Sequence, residues 1–279
     1  MMSNYHHKPK AIAITGATGW VGRTALHYLS LILPSLWIQE NVFLFASRKC
    51  SIHLQDPFSH SSAEFRVHPL ANLPELVSER RIKCILHTAF LTRDRLAEMG
   101  LAAYIETNKF ITASIKTSMQ LDPGLRLVSI SSGAAARYDG THDLDALIED
   151  DPYGVLKRIE ELLLLQSDRA LILRVYALTG RFIRDPQKFA IGDFLLAAKN
   201  NRQIRIDASN PVLRSYGFAH DIVQYSLDLL FSGLEMGGIG ILDAATHNID
   251  LLGLANRVTS LFSLPPVSHA IDDSLEPNK

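Results

Sequence analysis

A serine, a tyrosine and a lysine have the types and spacing needed for proton transfer at a carbonyl carbon. Tyr153 and Lys157 are four residues apart in a segment of helical character, so their side chains point to one face. Ser132 ends the apolar run that precedes this segment. Hydride transfer to a ketone leaves an alkoxide, and a tyrosine can protonate it when a nearby ammonium favours the phenolate. The serine hydroxyl can bind the substrate oxygen.

A glycine-rich turn near the N-terminus could hold the phosphates of a dinucleotide. Gly16, Gly19 and Gly22 lie between an apolar run that predicts a buried strand and residues 21–33, which predict a helix. This arrangement brings backbone amides and the positive end of the helix dipole to an anionic ligand. The alternative is an ordinary strand-to-helix turn. The predicted cofactor contacts here are Gly16, Thr18, Gly19, Trp20, Val21 and Gly22.

Predicted strands alternate with predicted helices over the first 175 residues. This pattern indicates an α/β fold with a doubly wound parallel sheet covered on both faces. Gly16, Arg48, His87 and Ser132 lie at or just beyond strand ends, where such sheets form their ligand crevice. The predicted strands are residues 10–14, 41–46, 64–68, 82–87, 125–130 and 170–175, and the predicted helices include 96–119 and 153–167. Residues 50–62, with His53 and His60, are expected to form a polar surface loop.

The pattern of elements changes after Gly180. We therefore predict a dinucleotide-binding domain over residues 1–180 and a smaller substrate-binding lobe over residues 181–279, with some elements returning to the main sheet. The predicted helices of this part are residues 189–198, 220–231 and 250–262, and the predicted strands are 203–206 and 239–243.

The composition of the 279 residues, with 47% hydrophobic and 20% charged, is ordinary for a packed soluble protein. A net charge of −1 gives no field that would attract nucleic acid or an anionic membrane, and no segment is apolar over the length of a bilayer span. Cys50 and Cys84 offer neither a disulfide framework nor a zinc site. We expect a cytoplasmic protein without a bound metal.

Three motifs in a fixed order carry a family resemblance. They are TGATGWVG with its GxxGxxG spacing, the serine pair at 131–132, and Tyr153 followed by Lys157. In this order they resemble the extended short-chain dehydrogenases/reductases, also called the NAD-dependent epimerase/dehydratase family. The resemblance implies a Rossmann-like doubly wound sheet with a smaller C-terminal substrate-binding lobe. It also implies cofactor contacts at His87, Ala89, Asn108, Tyr153, Lys157 and Val175.

The same resemblance implies a nucleotide-linked sugar as substrate. Arg214 begins a stretch similar to one in which the family's arginine binds the sugar diphosphate, although a surface salt bridge is the alternative. The runs 188–194, 204–206 and 214–216 are similar to members from polysaccharide and deoxysugar gene clusters. Ala177 replaces an asparagine that many epimerases use for the diphosphate. The implied substrate-binding residues are Ser131, Ser132 and Arg214, with Ser132 favoured over Ser131 as the active hydroxyl.

The end of the second predicted strand bears on the choice of cofactor. An acidic residue there would bind the ribose 2′-hydroxyl of NAD, but this chain has Ser47 and Arg48. An arginine can pair with a 2′-phosphate through two parallel hydrogen bonds, so NADP is favoured over NAD. A solvated loop arginine is the alternative.

The residues after Ser132 bear on the reaction type. A sugar 4,6-dehydratase needs an acid and a base, and that branch of the family has an Asp-Glu pair where this chain has Gly133 and Ala134. Dehydration is therefore not expected. The favoured function is reduction of a 4-keto-6-deoxysugar, and the alternative within the family is 4-epimerisation. An alternative of another class is a non-catalytic NADP-binding sensor or interaction protein.

A homodimer is common in the family and is expected here. Its contact is predicted on the helices that follow the fourth and fifth strands. The apolar residues proposed for this contact are Ile105, Ile111, Leu156 and Leu163.

Overall fold

The computed structural model describes residues 11–55, 62–79, 81–232, 236, 240–245 and 247–270. The strands are β1 (Ile12–Thr15), β2 (Val42–Ala46), β3 (Cys50–Gln55), β4 (Ser62–Pro69), β5 (Cys84–His87), β6 (Arg126–Ser132), β7 (Ala170–Val175), β8 (Ala177–Thr179), β9 (Arg205–Ile206), β10 (Leu213–Phe218), β11 (Ile241–Asp243), β12 (His247–Asp250) and β13 (Ser268–His269). The α-helices are α1 (Trp20–Ile32), α2 (Ser35–Asn41), α3 (Leu73–Ser78), α4 (Arg93–Met99), α5 (Leu101–Leu121), α6 (Pro152–Leu164), α7 (Ala190–Lys199), α8 (Ala219–Ser232) and α9 (Leu251–Phe262). Within the described part of the chain, no helix has both the length and the apolar character that crossing a membrane requires.

Eight strands form one sheet in the order β11-β7-β6-β5-β1-β2-β4-β3. Its neighbouring strands are parallel except for the antiparallel pair of β3 and β4. The predicted α/β fold with a large parallel sheet is therefore confirmed. From β1 the chain moves to β2 on one side and later returns to β5 on the other. The order of strands thus reverses at β1, where such sheets form a ligand crevice at the carboxyl ends of the strands.

Helices cover both faces of this sheet. On one face, Ile115 of α5 and Leu164 of α6 pack in a core that includes the strand residue Ile85. Successive strand residues point to opposite faces, so Cys84 points to the other side. There its thiol donates a hydrogen bond to the carbonyl oxygen of Leu230 in α8 at 3.3 Å. The sheet is buried on both sides, which explains why its strands are continuous apolar runs.

The expectation of a surface loop over residues 50–62 is wrong for its first part. Cys50–Gln55 is the edge strand β3, paired with β4 along its whole length. Ile52 and Leu54 are buried, whereas Ser51 and His53 are exposed. This alternation over a few residues is the pattern of a strand with one buried face, and the abundance of polar residues obscured it. His60 lies outside the described residues.

The single helix predicted over residues 96–119 is two helices, α4 and α5. They are separated by Gly100, which has a φ of 81°. A residue in this left-handed region cannot continue a right-handed helix, and glycine adopts it without steric cost. The apolar periodicity of the sequence continues through Gly100, so the periodicity did not reveal the break between the two helices.

The proposed dimer contact has to be corrected for two residues. Ile111 and Leu156 are buried within the chain's own core, because these positions of α5 and α6 face inward. Ile105 and Leu163 are only partly buried. A homodimer stays a prediction, which the mass from size-exclusion chromatography would test.

The contacts divide the chain into two compact units. The first contains the described residues up to Val175 together with His220–Asp243, so α8 and β11 belong to it, and β11 pairs with β7 in parallel. The second contains Tyr176–Ala219 and the described residues from Ala244 onward. It has a three-stranded sheet, β12-β10-β8, and a two-stranded sheet, β13-β9. Its apolar core lies between α7 and α9 and includes Phe194, Ile206 and Val258.

Candidate active site

The glycine turn between β1 and α1 is too tightly packed for larger residues. Gly16 has a φ of 68°, and a Cβ there would lie 2.7 Å from the backbone nitrogen of Ala89. A Cβ at Gly22 would overlap the carbonyl oxygen of Gly16. The N–H of Gly19 donates to the same carbonyl oxygen at 2.8 Å, which closes the turn. The chain therefore needs glycine at 16 and 22 to bring β1, α1 and the end of β5 together.

The amino end of α1 has the chemistry expected of a phosphate site. This helix has 13 residues, its N-cap residue Gly19 has no side chain to cap it, and its first turn contains no acidic residue. Amide N–H groups in the first turn of a helix have no acceptor within the helix, and they favour an anion. Thr18, Trp20 and Val21 are partly exposed at this end. The residues here fit the phosphates of a dinucleotide.

Replacement of Gly22 by alanine tests this turn. Because the added methyl group would overlap the Gly16 carbonyl, we expect the Kd of the dinucleotide to rise about tenfold and the free energy of unfolding to fall by about 1–3 kcal/mol. Fluorescence titration and urea unfolding measure the two effects. Gly124→Ala is the control, since the neighbour its methyl group would meet is the movable side chain of Asp122. Unchanged binding in Gly22→Ala would argue against this turn as the cofactor site.

Ser47 and Arg48 lie in an exposed connection at the carboxyl edge of the sheet. The strand order β2-β4-β3 means that residues 47–49 carry the chain from β2 past the end of β4 to β3. Ser47, Arg48 and Lys49 are all exposed. The edge position agrees with a role at the adenosine end of a dinucleotide, and that role stays a prediction.

The imidazole of His87 takes part in a buried polar network. His87 is fully buried at the end of β5. Its Nδ1 lies 2.6 Å from Oγ1 of Thr15, and its Nε2 lies 3.0 Å from Oε1 of Glu160. Both ring nitrogens are therefore engaged with protein groups. Any contact of this residue with a cofactor would have to use its backbone.

Tyr153 and Lys157 lie on α6 around the same aromatic ring. The Nζ of Lys157 is 3.9 Å from the centroid of Phe90, and the ring of Tyr153 meets Phe90 edge-on at 5.9 Å between centroids. The guanidinium of Arg93 lies 5.2 Å from the centroid of the Tyr153 ring. Lys157 is buried, whereas Tyr153 is partly exposed. The structure thus brings the predicted pair together at the end of β5 and the start of α6.

The two serines of the predicted pair point to opposite faces of β6, within the strand rather than after it. Ser131 is buried, and its hydroxyl donates to Oε1 of Glu161 at 2.7 Å. Glu161 also accepts two hydrogen bonds from Arg174, at 2.9 and 2.7 Å. Ser132 is partly exposed, and its Oγ accepts a hydrogen bond from the N–H of Ala134 at 3.2 Å. Of the two hydroxyls, only that of Ser132 lies outside the buried cluster around Glu161.

The other predicted residues are placed as follows. Asn108 on α5 is buried, and its Oδ1 accepts from the N–H of Leu91 at 2.9 Å. Ala89 and Val175 are partly exposed, just beyond β5 and at the end of β7. Arg214 is exposed on β10 in the second unit. Within the described ranges, no group of three or more His, Cys, Asp or Glu residues could hold a metal.

Sequence reasoning missed Glu160. It lies three residues after Lys157 on α6, and its Oε2 accepts from Nζ of Lys157 at 2.8 Å. Burial opposes ionisation of Glu160, but the nearby Lys157 ammonium and the hydrogen bonds from His87 and Lys157 outweigh it and lower its pKa to about 2. The i, i+3 spacing to Lys157 was the available signal.

A model of the NAD-dependent epimerase/dehydratase family matches residues 12–233, which is most of the chain. The chain belongs to this family. The resemblance drawn from the glycine turn, the serine pair and the Tyr153–Lys157 pair is therefore confirmed. The family match also covers α8, which follows Arg214 and lies against the main sheet.

This family member is similar to nucleotide-sugar enzymes. It is 24% identical over 277 residues to a trifunctional UDP-glucose 4,6-dehydratase/UDP-4-keto-6-deoxy-D-glucose 3,5-epimerase/UDP-4-keto-L-rhamnose-reductase of Arabidopsis thaliana, and the match covers 94% of this chain and 41% of that protein. The chain thus spans about two fifths of the length of the curated relatives it matches.

Two solved structures share the fold of this family member. One is MoeE5 in complex with UDP-glucose and NAD, with a TM-score of 0.64 and 20% identity over 95% of this chain and 87% of that one. The other is dTDP-4-dehydrorhamnose reductase from Bacillus anthracis in complex with NADP, with a TM-score of 0.61 and 16% identity over 95% of this chain and 85% of that one.

Proposed function

We propose that this chain reduces the keto group of a nucleotide-linked 4-keto-6-deoxysugar with NADPH. The observation that carries the proposal is the placement of Ser132, Tyr153 and Lys157. Ser132 ends β6, and Lys157 donates to the backbone of that strand at Ile130 O over 3.1 Å. Tyr153 lies one helical turn before Lys157 and is partly exposed. The carboxyl edge of the sheet thus carries both a proton donor and a hydroxyl for the substrate oxygen.

Each side chain has one chemical task in this proposal. The nicotinamide supplies the hydride when it is bound. The hydroxyl of Ser132 donates a hydrogen bond to the substrate keto oxygen, and the Oη of Tyr153 transfers its proton to the alkoxide as it forms. Lys157 holds its ammonium against the backbone of β6, one helical turn from Tyr153. Arg214 is proposed to bind the diphosphate of the substrate, with residues 181–279, apart from α8 and β11 of the first unit, as the substrate-binding lobe.

The sequence after Ser132 supports reduction over dehydration. The following residues, Gly133 and Ala134, begin a 3-10 helix, Gly133–Tyr138, and have no side chain that could act as an acid or a base. The Arabidopsis relative combines dehydratase, epimerase and reductase activities in its name, so similarity alone does not choose among them.

The cofactor assignment rests on Arg48. Its exposed position beyond β2 leaves the guanidinium able to form two parallel hydrogen bonds with a 2′-phosphate. NAD is the alternative, because the neighbouring structures include complexes with either cofactor.

A screen of NADPH oxidation against nucleotide-linked 4-keto sugars tests the function. We expect stoichiometric loss of NADPH absorbance with one or more 4-keto-6-deoxysugars and none with the matching 4-hydroxy sugars. Product analysis by NMR separates the alternative reaction, since an epimerase would interconvert 4-hydroxy sugars without net consumption of NADPH. Tight binding of NADPH with no turnover of any sugar in the panel would contradict the reductase and favour a non-catalytic binding protein.

A further inference from the structure

The ammonium of Lys157 is held by three protein groups. An ammonium has three N–H bonds. It donates to the carbonyl oxygen of Ile130 at 3.1 Å and to Oε2 of Glu160 at 2.8 Å, and it lies 3.9 Å from the centroid of Phe90. The side chains of Lys157 and Glu160 are 5% and 1% exposed. This lysine is thus one half of a buried ion pair.

The carboxylate of Glu160 is held in place from three elements. Its Oε1 lies 3.0 Å from Nε2 of His87 on β5 and accepts from Oγ1 of Thr112 on α5 at 3.3 Å. Its Oε2 accepts from Lys157 on its own helix. A carboxylate with this many fixed partners keeps its position and its negative charge.

We propose that Glu160 is a positioning residue that holds the Lys157 ammonium in a buried ion pair. Its carboxylate offsets the charge of the ammonium, so that Tyr153 lies near a neutral pair instead of a free positive charge. The proposal rests on the roles given to Tyr153 and Lys157 in the proposed function. Removal of a buried cation leaves its carboxylate partner uncompensated, whereas removal of both charges leaves the local charge nearly unchanged.

The other cation beside Tyr153 is also paired. Arg93, whose guanidinium lies over the Tyr153 ring, forms an ion pair with Asp151 at 3.3 Å. Tyr104 on α5 also interacts electrostatically with Tyr153, and burial raises the pKa of Tyr104 well above its ordinary value. Titratable and charged groups from several elements face Tyr153 and the Lys157–Glu160 pair. They are His87 from β5, Arg93 from α4, Tyr104 from α5, Asp151 before α6, and Lys157 and Glu160 themselves from α6.

A pH titration of the cofactor-free protein tests the proposal. The ultraviolet absorbance of tyrosinate is followed as pH rises, and each protein is compared with the same protein carrying Tyr153→Phe, so that the difference reports Tyr153 alone. We expect Lys157→Met to move the midpoint upward by about one pH unit, and Lys157→Met/Glu160→Gln to return it to within about 0.3 unit of the starting protein.

Lys157→Met/Glu161→Gln is the matched control. Glu161 is the adjacent buried carboxylate, but it pairs with Arg174 and Arg158 instead of Lys157. Adding Glu161→Gln to Lys157→Met should therefore leave the upward shift of the Tyr153 midpoint in place. An upward shift that persists with Glu160→Gln, or no shift in Lys157→Met, would overturn the proposal. Should Lys157→Met fail to fold, the double variant Lys157→Met/Glu160→Gln decides alone. A Tyr153 midpoint one pH unit above that of the starting protein would then contradict the proposed offset of charge.

The titration requires no turnover. If no sugar in the NADPH screen is turned over, the proposed function is refuted, and the titration of the Glu160 variants can still be interpreted. A failed rescue by Glu160→Gln would remove the ion-pair proposal and leave the reductase assignment standing.

Discussion

Replacement of Tyr153 by phenylalanine should lower kcat for the 4-keto sugar by about 10²–10⁴-fold and change the Kd of NADPH by less than about twofold. The variant loses only the Oη that is proposed to protonate the alkoxide. It keeps the ring that meets Phe90 edge-on at 5.9 Å and that lies under the guanidinium of Arg93. Steady-state kinetics and fluorescence titration of NADPH measure the two quantities separately.

Tyr225→Phe is the control for this experiment. Tyr225 is 45% exposed and belongs to α8, so its replacement removes the same hydroxyl from a residue that is part of neither the glycine turn nor α6. Its kcat should stay close to that of the starting protein. Full activity in Tyr153→Phe would refute the acid role, and a large loss of NADPH binding would instead assign the hydroxyl to the cofactor site.

Replacement of Arg48 by alanine should raise the Kd of NADPH by about 10–100-fold and leave that of NADH nearly unchanged. The reason is that the two cofactors differ by the 2′-phosphate, and a guanidinium bound to it contributes about 1.5–3 kcal/mol through charge-assisted hydrogen bonds. Arg48 is exposed, so the substitution should not disturb the fold. Parallel titrations with NADPH and NADH give the ratio directly.

Lys49→Ala is the control that separates a specific contact of Arg48 with the 2′-phosphate from a general attraction by positive charge. Lys49 follows in the same exposed connection and has the same charge, but an ammonium lacks the fork of donors that matches a phosphate. We expect its effect on NADPH to be smaller than that of Arg48→Ala. Equal losses for NADPH and NADH in Arg48→Ala would mean that this arginine does not read the 2′-phosphate.

The sequence predicted the elements whose residues are apolar throughout or tightly constrained. The run before Gly16 and the spacing to Gly22 were sufficient to predict β1, the turn and α1, because burial on both faces leaves a continuous apolar signal. The same signal is absent from β3, an edge strand in which Ile52 and Leu54 are buried and Ser51 and His53 are exposed. The helix break at Gly100 was missed because a single glycine is tolerated inside many helical patterns.

The order of motifs predicted which residues form the candidate site. It did not predict which of their side chains are bound to buried protein groups and which stay open to a ligand. Helical spacing predicted that Tyr153 and Lys157 lie on one face of α6. It could not show that Ser131 is committed to Glu161 while Ser132 is not, since that depends on which face of β6 each occupies. The partner of His87 likewise comes from a residue 73 positions away, which no local pattern reveals.

The route of the chain at the sheet edge keeps the residues proposed to select the cofactor out of the buried core. Residues 47–49 cross beyond the end of β4 as an exposed link between β2 and β3. Their side chains can therefore be exchanged with little cost to the buried core. Laboratory selection for NADH use should accumulate changes in this link first, and such variants should keep the melting temperature of the parent protein.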